Sequence, residues 1–170
     1  VVSASFSSPS AIGNGRVYLL PVDLSLAGYT AVVTSSRVWL GFRNSVIDTV
    51  LGTTLNIAMT MLAAYPLSRK DLKGRGVIMK LFTFTMLFGG GMIPNYLLMN
   101  NLNLLNTVWV MIIPGAISVY NMIVARTYIV NSIPSELYES ASLDGCTDDR
   151  YLWSIVLPLS KPIIAVLVLW

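Results

Sequence analysis

From Leu81 to Ala125 the chain runs 45 residues without one charged side chain. A helix that crosses a lipid bilayer needs roughly 20 mostly apolar residues. The stretch is too long for one crossing and about right for two with a turn between them. The turn signal is "MNNLNLLNT", with four asparagines from Asn100 to Asn106. The pattern predicts one span near Val77–Leu98 and the next near Thr107–Tyr128. Lys80 and Arg126 then fall near span ends, where a long side chain can lift its charge to the interface.

The rest of the chain agrees with a membrane protein. Only 11% of residues are charged, against about 25% in a soluble domain. A net charge of +3 gives no basis for nucleic-acid binding. There is no histidine, and the single Cys146 has no cysteine partner, so neither an internal disulfide nor a zinc site is expected. A further uncharged window, Thr49–Ser68, reads as a span with Asp48 at its outer end. A fourth span is expected to begin near Ile155. Residue 1 is Val and Trp170 lies within an apolar run, so a piece of a longer chain is expected, cut at both ends.

Orientation follows from lysine and arginine, which accumulate on the cytoplasmic side. The loop "SRKDLKGRG" holds Arg69, Lys70, Lys73 and Arg75 and is placed in the cytoplasm, as a topology determinant and a contact for lipid headgroups. The asparagine turn goes outside, as do residues 1–43, which are too polar and broken for a span. Three basic residues there, Arg16, Arg37 and Arg43, weaken the bias. Trp39 and Phe42 are expected at the outer interface.

The segment 134–157 then lies in the cytoplasm, and it is polar. Pro134 suits the first turn of a helix, where its missing N–H costs nothing. Glu136 and Glu139 come early, where the helix dipole favours them. Gly145 is a stop signal. A short helix near Pro134–Asp144 follows. Thr147 is expected to cap a second helix, with Pro158 bending the chain into the last span. The first helix has small residues, Ser140 and Ala141, that let a partner approach closely. An ordinary interfacial loop helix fits the same residues.

Glu139-Ser140-Ala141, then Asp144-Gly145, then Ile155 and Leu157-Pro158 resemble the "EAA" loop of ABC importer permeases. Ser140 stands where that loop usually has Ala. "AAYPLSR", "MIPNYLLMNNLNLLNT" and "IPSELYESASLDG" also resemble the carbohydrate-importer group of the maltose type, and "SFSS" resembles the exit from a preceding span. The resemblance covers essentially the whole chain. It implies an all-α integral membrane protein, a MetI-like multi-span bundle of which about four spans are present. It implies that Glu139, Ser140, Ala141, Asp144, Gly145, Leu157 and Pro158 belong to a coupling loop that docks on a separate ATP-binding subunit. It further implies cytoplasmic ABC ATPase subunits, a second permease subunit in a heterodimer, an extracytoplasmic solute-binding protein, and a place in the bacterial plasma membrane. No cofactor or metal is implied. No GxxxxGK[ST] phosphate loop occurs in the sequence, so ATP hydrolysis is expected on another chain, and this one is not an enzyme.

"LFGGGMIPNY" places Gly89, Gly90, Gly91 and Pro94 inside an expected span. They read either as close helix packing or a kink, or as a hinge or a break that lines a pathway. Asn95, Tyr96, Asn100 and Asn121 are polar candidates for a sugar path, with interhelical bonding as the plainer reading. The cargo is a sugar or oligosaccharide by resemblance, with an amino-acid or peptide permease as the near alternative. An ion-coupled transporter would place acids within the membrane. Here only Asp48 approaches a span.

Overall fold

The computed structural model describes residues 2–16 and 18–170. Every regular element among them is helical. Residues 1–47 and 48–170 form two compact units.

In the first unit, α1 (Val2–Ser5), α2 (Pro9–Gly13) and α3 (Ala27–Thr34) are short. Ser8 caps α2 by accepting from the Ala11 amide, the role expected of serine before a proline start. The Tyr29 hydroxyl donates to Ser5 Oγ, and its ring lies 5.3 Å from that of Phe6. Trp39 donates its indole N–H to the Val33 carbonyl and meets the edge of Phe42.

The helix α4 runs Ser36–Ser68, 33 residues, or about 50 Å at the α-helical rise. The expected window Thr49–Ser68 is its C-terminal part. The charges at Arg37, Arg43 and Asp48 mark where hydropathy falls, but nothing there breaks the helix, so it continues well past one bilayer thickness.

The long uncharged stretch is interrupted twice, first at the glycine run, where a kink, hinge or break was one expected reading, and then within the second expected span. Neither half is one straight helix. α5 (Arg75–Leu87) and α6 (Met92–Asn101) meet at 114° across a break at residues 88–91. Gly91 sits at the start of α6 with φ +85° and ψ 175°, a conformation essentially reserved for glycine. The expected span Thr107–Tyr128 is likewise divided into α7 (Trp109–Ile112) and α8 (Val119–Ser132). Pro114 explains this. It offers no N–H to the Val110 carbonyl, and its ring crowds that same carbonyl. Ser118 then restarts the helix by accepting from the Asn121 amide.

After α9 (Ser135–Leu143) and α10 (Asp148–Tyr151) the chain winds through a π turn, Leu152–Val156, into α11 (Leu157–Leu159) and α12 (Lys161–Leu169). The bend expected at Pro158 lies two residues later. The helical run Asp148–Leu159 turns by 72° into α12, and Ser160 is the joint. Pro158 removes the donor for the Ser154 carbonyl, and the wider π winding just before it is one way a helix absorbs such a loss. Pro162 removes the next. Among the described residues, one helix, α4, is long and apolar enough to cross a membrane unbroken, and up to three spans result if each bent pair counts as one.

The core of the second unit joins α4 to the later helices. Met61, Ala64, Tyr65 and Leu67 pack with Met122, Ala125 and Ile129 of α8, with Tyr151, Leu152 and Val156, and with Ile163 and Leu167 of α12. Ala64 and Ala125 are fully buried. Small residues are what let helices of a membrane bundle approach closely.

Candidate functional site

The polar segment forms a helix where the sequence placed it, displaced by one residue at each end. Pro134 is the N-cap rather than part of the first turn, and Asp144 is the C-cap. The ending is a full Schellman motif. The Cys146 amide donates to the Ala141 carbonyl at 2.9 Å and the Gly145 amide to that of Ser142 at 3.1 Å. Gly145 takes φ +76° to make this possible. Thr147 occupies the next N-cap but makes no side-chain cap bond.

Helical spacing sorts the residues of α9 into two faces. Tyr138 and Ala141 turn inward and pack on the core, as does Cys146 just beyond. Glu136, Glu139, Ser140 and Leu143 turn outward and are exposed. Leu143 is 90% exposed. The exposed side of α9 is therefore acidic, with small residues and the large apolar Leu143, and Leu137 is 40% exposed as well. Of the other residues in the expected coupling loop, Asp144, Gly145 and Pro158 are exposed, and Leu157 packs against the core.

Beneath this helix lies a residue that the sequence reading assigned differently. Arg69 follows directly on α4, and its side chain is only 14% exposed. Its Nε and Nη2 donate to both carboxylate oxygens of Asp71, at 2.8 and 2.6 Å. Its Nη1 donates to Asp148 Oδ1 at 2.9 Å and to the Tyr65 hydroxyl at 3.3 Å. Its guanidinium carbon lies 3.6 Å from the centre of the Tyr138 ring. Tyr138 in turn donates its hydroxyl to the same Asp148 oxygen at 3.1 Å. The paired bond to Asp71 raises the guanidinium pKa further, against the opposing pull of burial. The same bond holds the Asp71 carboxyl below the usual carboxylate range. Arg69 is thus an internal tie and not a lipid contact. Lys70 and Lys73 remain exposed.

Arg126 makes a contact that the sequence did not announce, its Nε donating to the Leu67 carbonyl at 2.7 Å. That carbonyl belongs to the last turn of α4, which lacks intrahelical donors and carries the negative end of the dipole.

A second feature is a cleft of about 600 Å³. Asp48, Thr49, Thr53 and Asn56 line it from α4, with Ser118 and Asn121 from the start of α8, and Trp170. Asn56 spans part of it, donating from Nδ2 to the Gly115 carbonyl at 2.8 Å. Of the polar candidates named from sequence, Asn121 lies in this cleft. Gly89, Gly90, Gly91, Pro94, Asn95, Tyr96 and Asn100 do not line it. Thr49, Thr53 and Asn56 of α4 were not among the residues expected from sequence to line a path. Their spacing of three and four places them on one helix face.

Residues 38–170 match the family described as "Binding-protein-dependent transport system inner membrane component". The polygalacturonan/rhamnogalacturonan transport system permease protein YtcP of Bacillus subtilis (strain 168) is 41% identical over 170 residues, which is all of this chain and 59% of that protein. Protein LplC of the same strain is 36% identical over 170 residues, again all of this chain and 57% of that protein. The crystal structure of a bacterial ABC transporter involved in the import of the acidic polysaccharide alginate superimposes with a TM-score of 0.92. It shares 36% identity and covers 99% of this chain and 60% of that one. The chain therefore spans somewhat over half the length of the relatives it matches. With its helical fold, its MetI-like arrangement and these matches, this chain belongs to the binding-protein-dependent transport system inner membrane components, the permeases of ABC importers.

Proposed function

We propose that the chain is part of the membrane-spanning permease subunit of an ATP-driven importer for a saccharide, in the plasma membrane of a bacterium. One observation carries the reading. The helix α9 presents Glu136, Glu139, Ser140 and Leu143 outward while its other face is tied to the end of α4. An exposed apolar side chain set among acids, on a helix anchored from behind, is the form of a surface made to seat in a partner's groove. The partner is a cytoplasmic ATPase subunit. A second permease subunit, different from this one, and an extracytoplasmic solute-binding protein complete the transporter.

In this reading ATP is hydrolysed on the partner, and the chain itself is a conduit and not a catalyst. The cleft along α4 and α8 is a stretch of the path. Thr49, Thr53, Ser118 and Asn121 offer hydroxyl and amide partners, which suit a saccharide because its own hydroxyls must be re-satisfied as they leave water. The saccharide class is supported by relatives named for polygalacturonan/rhamnogalacturonan and alginate transport.

The test uses the full-length protein with Cys146→Ser and any other cysteine replaced, and Leu143→Cys introduced. Cys146 itself is half buried and packed on the core, so it would report slowly. A membrane-impermeant thiol reagent should label position 143 only in inverted vesicles, and the ATPase subunit should block the labelling. Labelling from the outer side would overturn both the orientation and the function.

A further inference from the structure

Resting on the docking role proposed for α9, we propose that Arg69 is a positioning residue that transmits movement of the docking helix to α4, and through α4 to the polar cleft. The guanidinium is where three separated parts of the chain converge. Tyr65 belongs to the last turn of α4, and Arg69 follows that helix directly. Tyr138 is the inward residue of α9. Asp148 opens α10.

The arrangement has direction. The outer face of α9 is free for a partner, and its inward side chains are Tyr138 and Ala141. Tyr138 is held twice, by its ring over Arg69 and by its hydroxyl on Asp148. Asp148 is held by Arg69 as well. A displacement of α9 therefore reaches one guanidinium through two routes. Arg69 follows the last residue of α4 without a linker, its carbonyl is held by Arg75 at 3.1 Å, and its amide donates to the Pro66 carbonyl at 3.1 Å. Force arriving there acts on α4, and α4 supplies Asp48, Thr49, Thr53 and Asn56 to the cleft.

The chemistry selects arginine. One planar group lies against a ring and also reaches two carboxylates and a phenol. An ammonium is a compact point charge and cannot hold all of these at once. Arg69→Lys keeps the charge and breaks the tie.

The experiment uses the whole transporter in lipid: the full-length permease, its partner permease, the ATPase subunits and the binding protein. Thr53→Cys, in a Cys146→Ser background with other cysteines replaced, reports on the cleft through its rate of reaction with a membrane-impermeant methanethiosulfonate. Rates are compared with and without a non-hydrolysable ATP analogue. With Arg69 present, the analogue should change the rate about fivefold or more, the lower end of typical coupling between sites. With Arg69→Lys the complex should assemble and bind the analogue, and the rate should no longer respond.

A full response in Arg69→Lys overturns the inference. Loss of the ATPase subunits from that variant also overturns it, because Arg69 would then be part of the docking surface. Should Arg69→Lys fail to reach the membrane, Asp148→Asn is read in the same assay. It leaves the Asp71 and ring contacts in place, so a weakened response is expected, and an undiminished one overturns the inference. A protein with Arg69 intact that binds no ATPase subunit removes the docking reading itself, and this inference with it.

Discussion

The Nε of Arg126 lies 2.7 Å from the carbonyl oxygen of Leu67, so the middle of α8 caps the end of α4. The guanidinium is partly buried and supplies a donor that the last turn of a helix lacks. Hydrogen bonds involving a charged group contribute about 1.5–3 kcal/mol. Arg126→Ala should lower stability by about that amount. Arg126→Lys, which can still donate, should recover part of it. Thermal unfolding in detergent, with the same detergent throughout, measures both.

Leu143 is expected to be neutral for the fold and decisive for assembly. It is 90% exposed, so Leu143→Asp removes no internal packing and should change stability by no more than about 0.5 kcal/mol. The same change places another acid on an already acidic face and removes its apolar side chain. Co-purification of the ATPase subunit should fall at least about tenfold, the range expected for a central apolar anchor.

Gly145 carries a backbone requirement. At φ +76°, with no neighbouring atom within 4 Å of the place a Cβ would take, the cost of Gly145→Ala is conformational and not steric crowding by neighbours. It should be about 1–2 kcal/mol. Gly145→Asn should cost less, since asparagine enters this region more readily. Gly89→Ala, at an open position without positive φ, should be nearly silent. Unfolding midpoints of the three variants test the order.

Asp71 should give a small acid-side loss of stability. Its folded pKa is lowered by the hydrogen bond from Arg69. A group depressed in the folded state stabilises above its ordinary pKa, about 3.9 for aspartate. That contribution disappears as pH falls through the lowered value. The carboxylate is exposed, so water screens the pair and the gain is under about 1 kcal/mol. The stability difference between Asp71→Asn and the parent should be constant at neutral pH and close below pH about 4. A difference that persists unchanged in acid would remove the ion pair as its cause.

The Asn56 bond to Gly115 closes over the break that Pro114 opens. Asn56→Leu leaves that carbonyl without its partner and should cost about 0.6 kcal/mol, typical of a polar contact between membrane helices. It also removes the bar across the cleft. The reaction rate of Thr53→Cys should rise in the Asn56→Leu background.

What was legible in the sequence was local. Pro134, the early glutamates and Gly145 specify α9 within one residue, because caps and stops act over a single turn. The end of α4 at Ser68 was legible too, where apolar residues give way to the basic loop. The breaks were less so. Hydropathy measures transfer from water and does not register a missing N–H, so the Thr107–Tyr128 window read as continuous although Pro114 divides it, while the glycines of the Val77–Leu98 window marked a kink or hinge without its angle. Arg69 was the hardest. In sequence it is one of four bases in a loop, and its partners Tyr138 and Asp148 lie about seventy and eighty residues away. Only folding shows that this arginine faces inward while Lys70 and Lys73 face out.

The 114° break between α5 and α6 places an obligation on whatever surrounds it. At the α-helical rise α5 and α6 are about 20 Å and about 15 Å long, so neither alone matches a hydrocarbon layer of about 30 Å. The backbone at residues 88–91 cannot close its hydrogen bonds within a continuous helix, and three of those four residues are glycines with no side chain to shield it. Acyl chains offer neither donors nor acceptors. Wherever this corner rests at membrane depth, its neighbour must be wet or polypeptide. Lipid is the one solvent it is not built to meet.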